Sequence, residues 1–298
     1  MIQTANLYAL PLMVFYFAAA QASLFAQPKI TAPISPTHVT YKEVSGEKLQ
    51  LHVFSPSEKK SGDSRTAIVF FFGGGWSSWN PSQFDAYARQ FAGLGCVAIC
   101  ADYRVSSRHK TTPADAVRDA KSAVRYVRDH AKELGVAPDR IVVAGGSAGG
   151  HLAACTALIP GYFDEKEAKD ADAMANALVL FNPVLDTSAT GFGGAKRGDE
   201  LKPISPQHHV RPKLPPTLIL HGTADTTVPF KQVEAFAKAM KDAENVCEVE
   251  AFQGRIHGFF NSPEFRKGAK SEDSAACVKR VTKFLEDQKF LPAQPPRK

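Results

Sequence analysis

The chain has 298 residues, of which 44% are hydrophobic, 22% charged and 10% aromatic. That balance excludes a largely disordered or low-complexity protein and suffices for one sizeable core. The formal net charge is +6 with His neutral, and the Lys and Arg residues are scattered rather than gathered into a stripe, which argues against nucleic acid as a partner.

The first 26 residues carry no charged side chain, and Leu7 to Ala20 is largely apolar. Followed by the small-x-small pattern Ala20-Gln21-Ala22, this stretch reads as an export signal cut after Ala22 or Ala26. An uncleaved anchor is the rival reading. No second segment of about 20 apolar residues follows, so no stable membrane insertion is expected after the signal is removed. Export places the mature chain in the periplasm or outside the cell.

A Pro-containing lead over 27–39 precedes a folded domain over 40–290, with 291–298 as a flexible tail. Val39–Val44 and Lys48–Phe54, separated by Ser45-Gly46, read as an antiparallel hairpin. Continuous apolar runs follow at Ala67–Phe72, Cys96–Ala101, Ile141–Ala144, Ala177–Phe181 and Thr217–Leu220, and a last strand, Val246–Phe252, carries Glu248 and Glu250 within it. Unbroken apolarity marks strands covered on both faces. Helical patterns lie between them. Val117, Ala120, Val124, Val127, Ala131 and Leu134 share one helix face that ends at Gly135; Phe230, Val233, Phe236, Ala237 and Met240 form a second; Cys277, Val278, Val281 and Leu285 form a third. Alternating strands and helices predict a mostly parallel α/β sheet wrapped by helices. Asp186 to Pro216 is the natural place for a small cap or pocket wall.

Cys96, Cys100, Cys155, Cys247 and Cys277 make neither a metal-ligand spacing nor a dense disulfide framework. Cys96 and Cys100 share one strand and lie too far apart to bridge. For Cys247 and Cys277, a bridge and buried free thiols are both open.

Reactive groups in such sheets sit beyond the carboxyl ends of the strands, and four strand ends carry chemistry. Ile141 to Gly150 delivers Ser147 into Gly145-Gly146-Ser147-Ala148-Gly149. That is a Gly-x-Ser-x-Gly turn that lifts a hydroxyl out of the strand, with Gly145 and Gly149 where side chains would collide. Gly73-Gly74-Gly75-Trp76 follows the strand ending at Phe72. Backbone N–H groups of Gly74, Gly75 and Ala148 are the candidate oxyanion donors. A phosphate loop is disfavoured because no Gly-Lys-Ser/Thr follows. Asp225, in His221-Gly222-Thr223-Ala224-Asp225, and His257, in Arg255-Ile256-His257-Gly258-Phe259, supply an acid and a base in later loops. The chain order Ser147, Asp225, His257 fits a nucleophile, acid and base on this kind of sheet. Trp76, His208 and His209 are candidates for lining a substrate pocket, His208-His209 having a solvated loop as its alternative.

These motifs, FGGGW at 72–76, DYR at 102–104, GGSAGGHLA at 145–153, HGTAD at 221–225 and HGF at 257–259, resemble the α/β-hydrolase superfamily. The likeness is to its esterase/lipase branch related to hormone-sensitive lipase and to the BD-FAE group. The resemblance spans about 40–288. It implies the α/β-hydrolase fold and a serine carboxylesterase without metal or organic cofactor, and the lack of a long amphipathic cap before the first strands favours short acyl groups. Acetyl groups on a polysaccharide, including acetylated xylan, are one candidate substrate. Peptidases of the prolyl-oligopeptidase kind share fold and triad but carry a large propeller domain, for which roughly 40 residues before the core leave no room. A non-catalytic binding module on the same scaffold is the remaining alternative; such modules characteristically lose the nucleophile. The branch usually has His before the three glycines, where this chain has Phe72.

Overall fold

In the computed structural model, which describes residues 34–57, 62, 64–164 and 172–292, eight strands form one sheet in the order β1-β2-β4-β3-β5-β6-β7-β8. They are β1 (Thr37–Val44), β2 (Glu47–Phe54), β3 (Arg65–Phe71), β4 (Val97–Ala101), β5 (Val136–Gly146), β6 (Ala177–Phe181), β7 (Thr217–Gly222) and β8 (Cys247–Phe252). β1 and β2 form the expected hairpin, β2 also runs antiparallel to β4, and every other pairing is parallel. This is the architecture of the α/β-hydrolase fold. The expected signal segment and its cleavage positions lie outside the described residues, as do residues 293–298 of the tail.

Two apolar layers cover the sheet. Successive side chains on a strand point to opposite faces, and on β3 Ala67, Val69 and Phe71 join one layer while Ile68 and Phe70 join the other. β5 repeats this parity, with Ile141 and Val143 on the first side and Val142 and Ala144 on the second. Both faces being dry, the central strands have no reason to alternate with polar residues.

The helix starting at Pro113 is opened by a capping box, in which Thr112 and Asp115 each satisfy the other's backbone N–H. It ends at Asp129 instead of continuing to Gly135; a separate turn, Ala131–Leu134, follows a bend at His130. Arg128, in the last turn before the bend, donates to the carbonyls of Pro138, Asp172 and Met174. The apolar periodicity by itself would allow one longer helix. Asp85–Gly93 is a helix that the sequence pattern does not single out, because its buried face, Tyr87, Ala88, Phe91 and Ala92, is short and half alanine.

The segment over 186–216 forms no long helices. It contains a helical turn at Gly194–Arg197 and 3₁₀ turns at Lys202–Ile204 and Pro206–His209, and buries Leu201, Ile204 and Leu214. At the other end, the residue at which the expected tail begins, Leu291, is buried and its N–H donates to the Leu285 carbonyl. All five cysteines are buried free thiols. Burial pushes Cys96, Cys247 and Cys277 up to about 12, which makes them poor thiolate sources.

The parallel register sets up the site. Phe71 pairs with Gly145, Gly146 with Phe181, Phe181 with Leu220, and Gly222 with Phe252. The loops leaving β3, β5, β7 and β8 therefore emerge at one edge of the sheet.

Candidate active site

β5 ends at Gly146 and a helix starts at Ala148, leaving Ser147 alone between them with φ 55° and ψ −116°. A serine pays about 1–3 kcal/mol for such backbone, so its surroundings must hold it there. Its N–H donates to the Phe181 carbonyl at 2.8 Å, and its own carbonyl accepts from His151 at 3.0 Å. The two glycines of the motif are there because nothing larger fits. A Cβ on Gly145 would lie 2.3 Å from the Gly149 carbonyl oxygen, and one on Gly149 would lie 2.0 Å from that of Phe71. The strand-to-helix turn is thereby pressed against β3.

His257 stands beside this turn. Its Nε2 is 2.9 Å from Ser147 Oγ and its Nδ1 is 2.7 Å from Asp225 Oδ2. With Nδ1–H donating to the carboxylate, Nε2 is the lone-pair nitrogen that accepts the serine hydroxyl. The three residues named from sequence are thus brought into one hydrogen-bonded line, with the Asp225 side chain fully buried and His257 23% exposed.

Asp225 is held from several sides. Its Oδ1 accepts from the amides of Thr227 and Val228 at 2.8 and 2.9 Å, and its Oδ2 accepts from Asn182 Nδ2 at 2.7 Å. His221 Nε2 lies 3.3 Å from Oδ2 and 2.9 Å from the Val228 carbonyl. Burial works to raise this carboxyl, but hydrogen bonds from His221, His257 and the Val228 amide outweigh it and hold the group well below the usual carboxylate range. A permanent carboxylate orients one imidazole tautomer and stabilises the imidazolium. Asn182 was not singled out from sequence. Its signal is a polar residue standing directly after the apolar run of β6.

On the other side of Ser147 runs the glycine loop. Gly74 has φ +94° and a Cβ there would lie 2.4 Å from the Ser78 carbonyl oxygen. The Gly74 carbonyl accepts from the amides of Ser77 and Ser78 at 3.1 and 3.2 Å. Among the described residues the N–H groups of Gly74, Gly75 and Ala148 meet no hydrogen-bond acceptor. The last of these opens the helix at Ala148, where amides have no intrahelical partner. Gly73 differs, donating to Gln83 Oε1 at 2.6 Å. Phe72, at the place where the branch usually has His, is fully buried and stacks on Tyr103 with centroids 4.1 Å apart. Tyr103 Oη donates to the Phe72 carbonyl at 2.8 Å. A stacked ring and a tyrosine hydroxyl thus support the loop here.

The candidate pocket residues need correction. Trp76 is 3% exposed, with its ring edge-on to His151 at 5.0 Å, so it is a core residue beneath the loop and not an open wall. His208 Nδ1 bonds Ser205 Oγ at 3.0 Å, and His209 Nε2 donates to the Pro203 carbonyl at 3.0 Å. Both rings fasten their own segment, and among the described residues neither hydrogen-bonds Ser147, Asp225 or His257. Next to His209, Arg211 donates to the carbonyls of Ala157 and Leu158, at the end of the Ala148–Leu158 helix farthest from Ser147. The tryptophan beside the serine is Trp79, 42% exposed and edge-on to Phe265. The point a Gly73 Cβ would occupy is 3.3 Å from Trp79 Cζ3 and 3.4 Å from Ser147 Cβ. Ile256, adjoining His257, is 62% exposed. The exposure of these two apolar residues is not written in a local pattern.

Fold and site together define an α/β hydrolase with a serine–histidine–aspartate line at the carboxyl ends of its strands. The BD-FAE family profile matches residues 51–240, and the chain belongs to that family, within the esterase/lipase branch of the α/β hydrolases. Among solved structures it is similar to esterase 2 of Thermogutta terrifontis, at 46% identity and a TM-score of 0.82 over 88% of this chain and 98% of that one. Among curated proteins it is similar to the esterase LipQ of Mycobacterium tuberculosis, 28% identical over 76% of this chain and 58% of that protein. It is also similar to a probable isoprenylcysteine alpha-carbonyl methylesterase of Arabidopsis thaliana, 25% identical over 76% of this chain and 51% of that protein. The chain thus spans little more than half the length of these curated relatives.

Proposed function

We propose that this chain is a serine carboxylesterase that hydrolyses short-chain esters through an acyl-enzyme. Ser147 Oγ attacks the ester carbonyl carbon while its proton passes to His257 Nε2. The oxyanion so formed accepts from the amides of Gly74, Gly75 and Ala148. As the C–O bond to the alcohol breaks, His257 returns the proton to the leaving oxygen. Water then gives a proton to His257 and attacks the acyl carbon, and collapse releases the acid and restores the Ser147 hydroxyl. Asp225 holds the imidazole throughout and stays ionised.

The observation that carries this reading is the unbroken line Ser147 Oγ–His257–Asp225, at 2.9 and 2.7 Å, on a turn whose strain exposes the serine. The similar Thermogutta terrifontis esterase is described as phosphorylated by paraoxon and, in other crystals, as propionate-bound and butyrate-bound. That supports both a covalent mechanism and small acyl groups for this chain. A polysaccharide acetyl group is our candidate natural substrate, and the apolar, uncharged first 26 residues support export toward such a substrate.

The test uses nitrophenyl esters from acetate to long acyl chains beside acetylated xylan. Turnover should be greatest with short acyl groups, and paraoxon should add its phosphoryl mass to the Ser147 peptide with loss of activity. Ser147→Ala should lower kcat by about 10⁴-fold or more. Substantial turnover by a pure, folded Ser147→Ala protein would remove the assignment. Sequencing the amino terminus of exported protein tests the start after Ala22 or Ala26.

A further inference from the structure

Two buried side-chain amides join the glycine loop to the histidine loop. Gln83 and Asn261 are 1% and 0% exposed and stand 178 residues apart in the chain. The Gly73 N–H donates to Gln83 Oε1 at 2.6 Å, Gln83 Nε2 donates to Asn261 Oδ1 at 2.8 Å, and Asn261 Nδ2 donates to the Gly258 carbonyl at 2.8 Å. The two ends dictate the direction of the relay. A backbone N–H only donates and a backbone carbonyl only accepts, so both amides are locked in one orientation. With water excluded, any break would strand a buried polar atom, which makes the relay stiff as well as directed.

Its ends are informative. Gly73 adjoins Gly74 and Gly75, whose amides are the oxyanion donors, and Gly258 adjoins His257. Gly258 has φ +77°, and a Cβ there would lie 2.9 Å from Asn261 Nδ2, so the amide packs directly on the turn that aims the imidazole. Capture by Gln83 also withdraws the Gly73 N–H from the oxyanion donors. Resting on the esterase reading above, we propose that Gln83 and Asn261 are positioning residues. They hold the oxyanion loop and the His257 loop at one spacing, so that donors and base meet at the carbonyl attacked by Ser147.

Gln83→Glu separates positioning from bulk packing. The new side chain keeps the shape and still accepts from Gly73, but as a carboxylate it cannot donate to Asn261, and when protonated it can. Burial raises such a carboxyl. Expected at about pH 8 is a kcat about 10- to 100-fold below that of the unmodified chain, with KM little changed. The ratio of the two kcat values should climb back as pH is lowered to about 6, a quotient from which the His257 acid limb cancels. Independently, Gln83→Leu, Asn261→Leu and the double variant should lose the same activity, because breaking one relay twice costs nothing further. If the leucine variants do not fold by near-ultraviolet circular dichroism, the Gln83→Glu ratio decides alone. A flat ratio in folded protein, with the unmodified chain active and Ser147→Ala inactive, overturns the relay and leaves the esterase reading standing. An unmodified chain without turnover, or an active Ser147→Ala, overturns that reading and the relay with it.

Discussion

Ser147 keeps its unfavourable backbone because its neighbours leave no other course for the chain, and the glycines show how little room there is. At Gly149 a Cβ would meet the backbone oxygens of Phe71 and Phe72 at 2.0 and 2.3 Å, and backbone cannot step aside. Gly149→Ala should therefore cost several times the roughly 1 kcal/mol of an ordinary glycine replacement, or prevent folding. At Gly75 the nearest atom is Ser77 Oγ at 3.9 Å, and only φ +63° opposes a side chain. Gly75→Ala should fold with a loss of about 1 kcal/mol. Urea midpoints of the two variants check the contrast; equal losses would mean that crowding at the elbow is not what demands Gly149. Trp79 belongs to this scale too. Being 42% exposed, it contributes little core, so Trp79→Ala should leave the melting temperature nearly unchanged. It should raise KM for butyrate esters more than for acetate esters, measured side by side, because the longer acyl chain reaches farther across the apolar surface beside Ser147.

The elements are held in place by a few buried polar links. β1, the loop after β4 and the helix Pro113–Asp129 meet at Asp119, which is fully buried. It accepts from Lys42 Nζ at 2.8 Å and from Arg104 Nε and Nη2 at 2.8 and 2.9 Å. Removing one member leaves buried charge without compensation. Asp119→Ala should cost about 3–5 kcal/mol, read from chemical denaturation; a loss under about 1 kcal/mol would show solvent entering freely in its place. Arg104 belongs to the DYR motif read from sequence, whereas Lys42 and Asp119 carry no local signal, being 77 residues apart. Phe72 and Tyr103 make the same point. The sequence shows that histidine is missing before the three glycines, and only the packing shows a ring stack and a tyrosine hydroxyl supporting the loop.

For the whole molecule, pH acts through groups that folding removes from water. His151 is fully buried on the helix behind Ser147, its Nε2 hydrogen-bonded to the Ile204 carbonyl at 2.8 Å. Burial lowers it to about 4, against the raising effect of that carbonyl. Above about pH 6.5 the ring is neutral in folded and unfolded chains alike and contributes no pH dependence. Between about 6.5 and 4 the unfolded chain takes up a proton that the folded one refuses. Stability therefore falls as pH drops, by about 1.4 kcal/mol per unit from this group. Asp225 has the opposite origin but the same sense: depressed in the fold, it stabilises above the ordinary carboxyl range, and that contribution goes as pH falls through its folded value. His151→Gln should remove the first contribution, so wild-type and variant stabilities should diverge between pH 7 and about 4.5 in urea titrations. Parallel curves would place the acid sensitivity elsewhere.

What the sequence by itself determined was local and repetitive. Unbroken apolar runs marked both-sided strands, glycine spacing marked the elbow, and the chain order of Ser147, Asp225 and His257 after three strands pointed to the chemistry proposed above. Each is written in a few neighbouring residues because sterics and burial act directly on those residues. What only the tertiary structure decided was which distant residues share a space. It turned Trp76 inward and Trp79 outward, occupied His208 and His209 with their own segment, left Cys247 and Cys277 as separate thiols, and joined Gln83 to Asn261. Exposure and long-range hydrogen bonding are properties of pairs brought together by the sheet, and no local pattern encodes a partner 178 residues away.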